Sequence, residues 1–222
     1  MIKAQAIIPC AGIGARLKTD VSKPFVEIAG QPLFIHTLVA FEKSAVDSIV
    51  LVVHVNEVEN VKSIVSQQDF NKKITIIVGG NTRRDSVNNG LQSIDEDTQI
   101  VVVHDAARPL IDPSIIDKSI EQCVLAKAII VAVPAKSTMK EVQDGLVLAT
   151  LDRNRLWEVQ TPQTFEKELL KEAHAQEISI EATDDSMLVE NLGVPVKILE
   201  GEYKNIKVTT VEDLEIVESF LK

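Results

Sequence analysis

Cysteine is scarce: Cys10 and Cys123 are the only two in 222 residues, and they set up no disulfide framework. A basic excess is missing too. Lys and Arg number 23 against 33 acids, a net charge of −10. That excludes broad binding to nucleic acid or to a membrane surface, both of which need basic faces. It leaves room for a small anionic ligand, because a few cations in one cleft invert the local field. No apolar run approaches the length of a membrane span. Met1-Ile2-Lys3 leads straight into an apolar strand with no leader pattern, so a reduced, cytoplasmic setting is expected. Histidines are few. His36, His54 and His174 have no partner at metal-ligand spacing and read as ordinary helix or strand-end residues. Repeats, linkers and low-complexity segments are absent.

What is there is a steady alternation. Apolar runs at Ala4–Ile8, Ser48–Val53, Ile74–Val78, Ile100–Val103 and Ala128–Val133 read as buried strands. Amphipathic stretches lie between them at Leu33–Lys43, Val58–Gln67, Arg84–Ser93 and Ser114–Leu125. Continuous apolar strands alternating with helices predict a parallel sheet covered on both faces. The fold class is α/β, a Rossmann-like three-layer sandwich with a mostly parallel central sheet, in a single domain spanning 1–222. After Pro134 the alternation breaks. Thr138–Val142, then Gln143-Asp144-Gly145, then Leu146–Leu151 reads as a β-hairpin, since Asp-Gly suits a primed turn. Such a ribbon is marginal alone, so this arm, at about 135–155, is expected to pack on a partner subunit. Helices near Glu166–Gln176 and Ser186–Leu192, a strand at Val196–Leu199 and a closing helix at Val211–Leu221 follow.

Three loops follow three strands. The first is Pro9-Cys10-Ala11-Gly12-Ile13-Gly14-Ala15-Arg16-Leu17, closed by Lys23-Pro24. Gly12 and Gly14 let the backbone approach an anion with its N–H groups, helped by Arg16 and Lys23. It is not a dinucleotide fingerprint, because Leu17 stands where a third small residue is needed, and no Gly-Lys-Ser/Thr of a Walker A loop occurs. The second is Gly79-Gly80-Asn81-Thr82-Arg83-Arg84-Asp85-Ser86, a strand end followed by a helix N-terminus, which suits an anion or a base. The third is His104-Asp105-Ala106-Ala107-Arg108-Pro109. There Asp105 suits Mg²⁺, which takes one or two carboxylates plus substrate phosphates, and Arg108 can balance Asp105 or meet phosphate. All three end on one sheet edge, where open α/β sheets bind ligands. His104 points the other way and reads as structural. Cys10 has no base beside it, and Cys123 sits in a helix pattern as core. Polar residues also gather in Asp152-Arg153-Asn154-Arg155, in the turn Gln160-Thr161-Pro162-Gln163-Thr164-Phe165, and in Thr183-Asp184-Asp185, a helix cap. Asn205-Ile206-Lys207-Val208-Thr209 reads as a short strand with Lys207 and Thr209 on one face.

This ordered set resembles the 2-C-methyl-D-erythritol 4-phosphate cytidylyltransferases of the non-mevalonate isoprenoid pathway, from Ala6 to Leu214. The most specific parts are His104–Pro109, Thr161-Pro162-Gln163 and Asn205–Thr209. The resemblance implies a nucleotidyltransferase-type fold and CTP and a polyol phosphate as substrates. It implies Mg²⁺ at Asp105 and a homodimer through the arm. It sets Arg16 and Lys23 on the triphosphate and the pentacoordinate α-phosphate. It sets Ala11, Gly12, Gly80, Asn81, Ser86 and Ala106 around cytosine and ribose, with Gly14 in the same cradle. Arg108, Thr161, Thr183 and Lys207 are expected near the sugar phosphate, and Thr138 and Arg153 on an arm that reaches a second subunit's site. Arg16, Lys23, Arg153 and Lys207 form the expected catalytic set. Cys10 stands where Ala is common, Pro24 where many members carry Gln, and Asn81 where Asp is frequent. The related ribitol 5-phosphate cytidylyltransferases share the fold, and Ala107 favours the erythritol enzyme. A nucleotide-binding regulator without turnover is the reading from another class.

Overall fold

Apolar strands with no polar face go to the middle of a sheet covered on both sides. The computed structural model describes residues 2–12, 23–177 and 182–221, and of Lys23 only the backbone. In chain order its elements are β1 (Ala4–Pro9), β2 (Glu27–Ile28), β3 (Gln31–Pro32), α1 (Leu33–Glu42), β4 (Ser48–Val53) and α2 (Val58–Ser66). Then come β5 (Lys73–Val78), α3 (Arg83–Leu91), β6 (Ile100–Val103), α4 (Pro113–Ala126) and β7 (Ala128–Pro134). The rest are β8 (Lys140–Gln143), β9 (Leu146–Thr150), β10 (Trp157–Glu166), α5 (Lys167–Ala175), α6 (Asp185–Glu190), β11 (Lys197–Glu200) and α7 (Val211–Leu221). Among the described residues the main sheet has seven strands, in the order β11-β7-β10-β6-β1-β4-β5. All pairings are parallel except those of β10, which is antiparallel to both β6 and β7.

Alternate residues of one strand serve opposite layers. Ile8 of β1 with Ile49 and Leu51 of β4 pack against Phe34 and Phe41 of α1 and Ile116 of α4. Ile7, Val50 and Val103 face Val87 and Leu91 of α3 and Leu170 of α5. Each fully buried Phe of this kind contributes about 1.5–3 kcal/mol. Leaving β1, the chain builds β4 and β5 on one side and returns to β6 on the other. The sheet therefore has its switch point at β1 and β6, and the loops after both strands open on the same edge.

Two expectations needed correction. Gln160–Phe165 is not a free turn but the middle of β10, inserted between β6 and β7. Pro162 and a polar run hid it, since proline is rare in central strands. The ladder accommodates it by a register shift between Val159 and Gln163. The buried polar groups are paired: Thr164 Oγ1 lies 2.8 Å from Ser119 Oγ, and Gln160 Nε2 donates to Glu202 O at 2.9 Å. Asn205–Thr209 is not a strand either. It is extended coil tied by Val208 N–H to Ala107 O at 2.8 Å. Its alternation survives. Val208 is buried with Ile28, Leu33 and Val217, and Lys207 and Thr209 face the other way.

The hairpin forms as expected. Asp144 and Gly145 take φ of 51° and 80°, the two positive values that a primed turn requires. β8 and β9 make a sheet of their own.

Candidate active site

The loops after β1, β4, β5 and β6 and the segment 207–209 surround a cleft of about 610 Å³. The structure brings Ala11, Gly12, Gly80, Asn81, Ser86, Asp105, Ala106 and Lys207 together along it. Gly14 and Arg16 lie outside the described residues, as does the side chain of Lys23.

Of the first loop only the part up to Gly12 is described. Gly12 shows no positive φ, and among the described residues nothing lies within 4 Å of a Cβ built there. The glycines that the packing demands are in the second loop. A Cβ on Gly79 would stand 2.9 Å from Ala11 Cβ, and one on Gly80 would collide with Asp85 Cβ. Two loops thus touch at the cleft wall. Ser86 fixes this arrangement, accepting from Gly80 N–H at 3.2 Å and donating to Thr82 O at 3.0 Å. The N-terminus of α3, expected to offer its N–H groups to an anion, is already capped. Thr82 Oγ1 accepts from Asp85 N–H and Asp85 Oδ2 from Thr82 N–H, both at 3.0 Å. What remains for a ligand here is shape and side chains.

Asp105 is the electrostatic centre. Lys207 Nζ is 2.7 Å from its Oδ2, Arg83 Nε 3.2 Å from its Oδ1, and Arg108 Nε 3.8 Å from Oδ2. Burial alone would push this carboxyl up. Arg83, Lys207 and Arg108 outweigh that and hold it well below the usual carboxylate range. Asp105 is therefore ionised at any physiological pH and offers hard oxygens. Among the described residues no three His, Cys, Asp or Glu come together as a metal cage. A lone carboxylate nevertheless fits Mg²⁺, because that ion completes its shell with phosphates and water.

Several expected residues stand behind the cleft surface instead of on it. Thr161 Oγ1 accepts from Asp105 N–H at 3.1 Å and lies 3.0 Å from His104 Nδ1. Arg108 O, which can only accept, lies 3.1 Å from Nε2 and so places the His104 proton there, which makes Nδ1 the acceptor of the Thr161 hydroxyl hydrogen. Burial pushes the His104 imidazole down to about 4, so it stays neutral. Arg108 gives Nη1 to Asn205 O at 2.8 Å and so holds the segment that presents Lys207. Burial lowers its guanidinium pKa, against the pull of Asp105. Asp213 grips the other end of that segment, accepting from Thr209 N–H, Thr209 Oγ1 and Thr210 N–H. Thr183 is exposed beside Asp184, which caps α6. Thr138 and Arg153 are exposed on the arm, outside this chain's cleft lining. Arg153 Nη1 donates to Lys136 O at 3.0 Å.

Sequence reasoning missed three things. Arg83, read only as part of a basic cluster, joins Asp105 to Asp185. His174, read as isolated, has its Nε2 3.0 Å from Asp185 Oδ1. His54, also read as ordinary, lines the cleft. No local signal could reveal the first two, whose partners come from another loop. Cys10 is buried, and burial raises its thiol, so it is no nucleophile.

The comparisons with known proteins agree with one another. The family model described as IspD, 2-C-methyl-D-erythritol 4-phosphate cytidylyltransferase, matches residues 4–222. A relative from Alkaliphilus oremlandii, named 2-C-methyl-D-erythritol 4-phosphate cytidylyltransferase, is 45% identical over 225 residues, covering 99% of this chain and 95% of its own. The crystal structure of 4-diphosphocytidyl-2C-methyl-D-erythritol synthase from Anaerococcus prevotii is similar at a TM-score of 0.88. It is 31% identical, over 99% of this chain and 96% of that one. The Francisella tularensis 2-C-methyl-D-erythritol 4-phosphate cytidylyltransferase matches at 0.80 with 32% identity, over 98% and 99%.

Proposed function

The chain belongs to the 2-C-methyl-D-erythritol 4-phosphate cytidylyltransferase family, and from that premise we propose how its residues carry the family's reaction. It transfers CMP from CTP to 2-C-methyl-D-erythritol 4-phosphate, giving 4-diphosphocytidyl-2-C-methyl-D-erythritol and pyrophosphate. An oxygen of the acceptor phosphate attacks the α-phosphorus of CTP. The bond from that phosphorus to the bridging oxygen breaks, and pyrophosphate leaves with the electron pair. The acceptor phosphate is largely ionised at neutral pH because its second pKa is near 6, so no general base is needed. His104, the histidine next to Asp105, is neutral and buried with both nitrogens engaged, which supports this. The demand is to bring two polyanions together and to stabilise charge on the α-phosphoryl and leaving oxygens.

In this reading Ala11, Gly12, Gly14, Gly80, Asn81, Ser86 and Ala106 surround cytosine and ribose. Arg16 and Lys23 hold the triphosphate. Asp105 holds Mg²⁺, which supplies positive charge at the phosphates when bound. Lys207 and Thr183 meet the acceptor phosphate. Arg108 and Thr161 act from behind, fixing the 205–209 segment and the Asp105 backbone. The arm at about 135–155 reaches a second copy, whose cleft receives Thr138 and Arg153, and the enzyme is a homodimer. The setting is cytoplasmic; no described helix is long and apolar enough to cross a membrane.

The observation that carries this assignment is the ionised Asp105 with Lys207 Nζ at 2.7 Å inside the cleft at the sheet's switch point. The test is pyrophosphate release from CTP and Mg²⁺, with 2-C-methyl-D-erythritol 4-phosphate and ribitol 5-phosphate offered in parallel. Selective turnover of the first is expected. Turnover of the second alone would overturn the acceptor, and CTP binding with no turnover of either would move the protein to the regulators. Full turnover in both Lys23→Ala and Lys207→Ala would overturn the residue roles.

A further inference from the structure

Arg83 touches two acids at once. Nε lies 3.2 Å from Asp105 Oδ1, and Nη1 lies 2.7 Å from Asp185 Oδ2. Asp185 is 1% exposed and takes a second partner, His174, whose Nε2 is 3.0 Å from Oδ1. The backbone N–H groups of Asp185 and Ser186 both donate to Gln163 Oε1, at 3.1 and 3.2 Å. Arg84, the next residue, donates Nη2 to the carbonyls of His174 and Gln176 at 3.0 and 2.6 Å. The start of α3 is thereby fastened to the end of α5 and the start of α6, and the fastening ends on Asp105.

A buried acid and its partners are a weak device for stability, because well-packed apolar residues of the same volume often do as well. What such a cluster supplies is a fixed geometry. Asp185 takes one edge of the Arg83 guanidinium and so sets its plane. Arg83 then occupies Oδ1 of Asp105 and leaves Oδ2 to Lys207 and the cleft. We propose that Asp185 and His174 are positioning residues, which through Arg83 orient the Asp105 carboxylate and thereby place Lys207 for the acceptor phosphate. This rests on the roles given above to Asp105 and Lys207. Without Asp185 the guanidinium is free to turn wholly onto Asp105, the carboxylate rotates, and Lys207 loses its seat. Outer partners of this kind typically change activity about 10–100-fold when removed.

The test uses the full chain and steady-state pyrophosphate release. Asp185→Asn should keep its far-UV circular dichroism and bind CTP nearly as the parent does, while kcat falls about 10–100-fold. The double variant Asp185→Asn with Arg83→Met should be no slower than Arg83→Met alone, because Asp185 acts only through Arg83. Additive losses, or parental kcat in Asp185→Asn, would overturn the proposal. His174→Phe should lower kcat in the same direction by less, and His174→Gln, which restores an N–H donor, should recover part of it. Those two decide the matter should Asp185→Asn fail to fold, and failure of Asp185→Asn and His174→Phe alike makes the cluster structural. Asp105→Asn separates the levels. If it retains turnover, the role of Asp105 itself is wrong. If it is inactive while Asp185→Asn is not, the relay alone is wrong.

Discussion

At the carboxyl edge of the sheet, Asp105, Arg83, Ser86 and Thr82 each find partners inside the chain. On the β8–β9 arm, Leu146, Val147 and Leu148 stand 71%, 61% and 57% exposed, with Met139 and Val142 beside them. One region is closed on itself and waits for small anions. The other shows apolar surface that a single chain leaves in water, which marks an interaction surface. A two-stranded ribbon carries little stability of its own, so its turn is encoded locally and its purpose lies elsewhere. The cleft is the reverse: its loops are encoded weakly, and its order comes from contacts between distant segments.

The largest effect should come from the cleft. Lys207→Ala removes the cation we propose for the acceptor phosphate, while Arg83 and Arg108 still neutralise Asp105. Turnover should drop about 10²–10³-fold, as for loss of one oxyanion donor, with the melting temperature little changed. A collapse of the fold instead would show that the pair with Asp105 is structural.

The second prediction asks whether the arm completes a cleft across two chains. Arg153→Ala and Lys23→Ala subunits, each nearly inactive, are mixed and allowed to exchange. Half the dimers are then mixed, and each has one intact site, so about a quarter of parental activity should return. Mixed dimers that form without recovery would refute completion in trans. Leu146→Glu, on the exposed ribbon, should weaken the proposed dimer in sedimentation without touching CTP binding.

The two regions also differ in how far they could be read from sequence. The hairpin was legible because Asp144-Gly145 names its own turn. The strands β4 and β6 were legible because Ser48–Val53 and Ile100–Val103 have no polar face. β10 was not, since Pro162 and the buried Gln160, Thr161, Gln163 and Thr164 look like a loop until Ser119, Asp184 and Glu202 are there to pair with them. In the cleft, Asp105 and Lys207 were legible from their motifs. Arg83–Asp185 was not, because 102 positions separate the partners and neither carries a local pattern.

The third prediction concerns acid. His104 is neutral in the folded chain, with a pKa of about 4 against 6.5 when free. Its folded value is depressed, so below 6.5 the unfolded chain binds the extra proton and stability falls with falling pH down to 4. At pH 5 this one group should cost about 2 kcal/mol relative to pH 7.5, read from urea midpoints. His104→Gln should lack that part of the slope. If the slope persists unchanged, His104 is not its source. Since His104 underlies the cleft through Thr161 and Arg108, and not the arm, the dimer proposed through the arm should respond less to the same acid step.

The smallest effect should fall on the capping of α3. Thr82→Ala removes the oxygen that accepts Asp85 N–H at 3.0 Å and opens the reciprocal bond, at a cost of about 1 kcal/mol in urea unfolding. The informative part is where that loss appears. Gly80 and Asn81 precede this cap, and Ser86 ties the loop to it through Thr82 O. If the cleft is ordered by such internal bonds, KM for CTP should rise several-fold while kcat and the dimer constant stay put. A fall in kcat at unchanged KM would place the cap in the chemistry. A change in dimer constant would mean that the two regions are coupled through the sheet and are not the separate devices their side chains suggest.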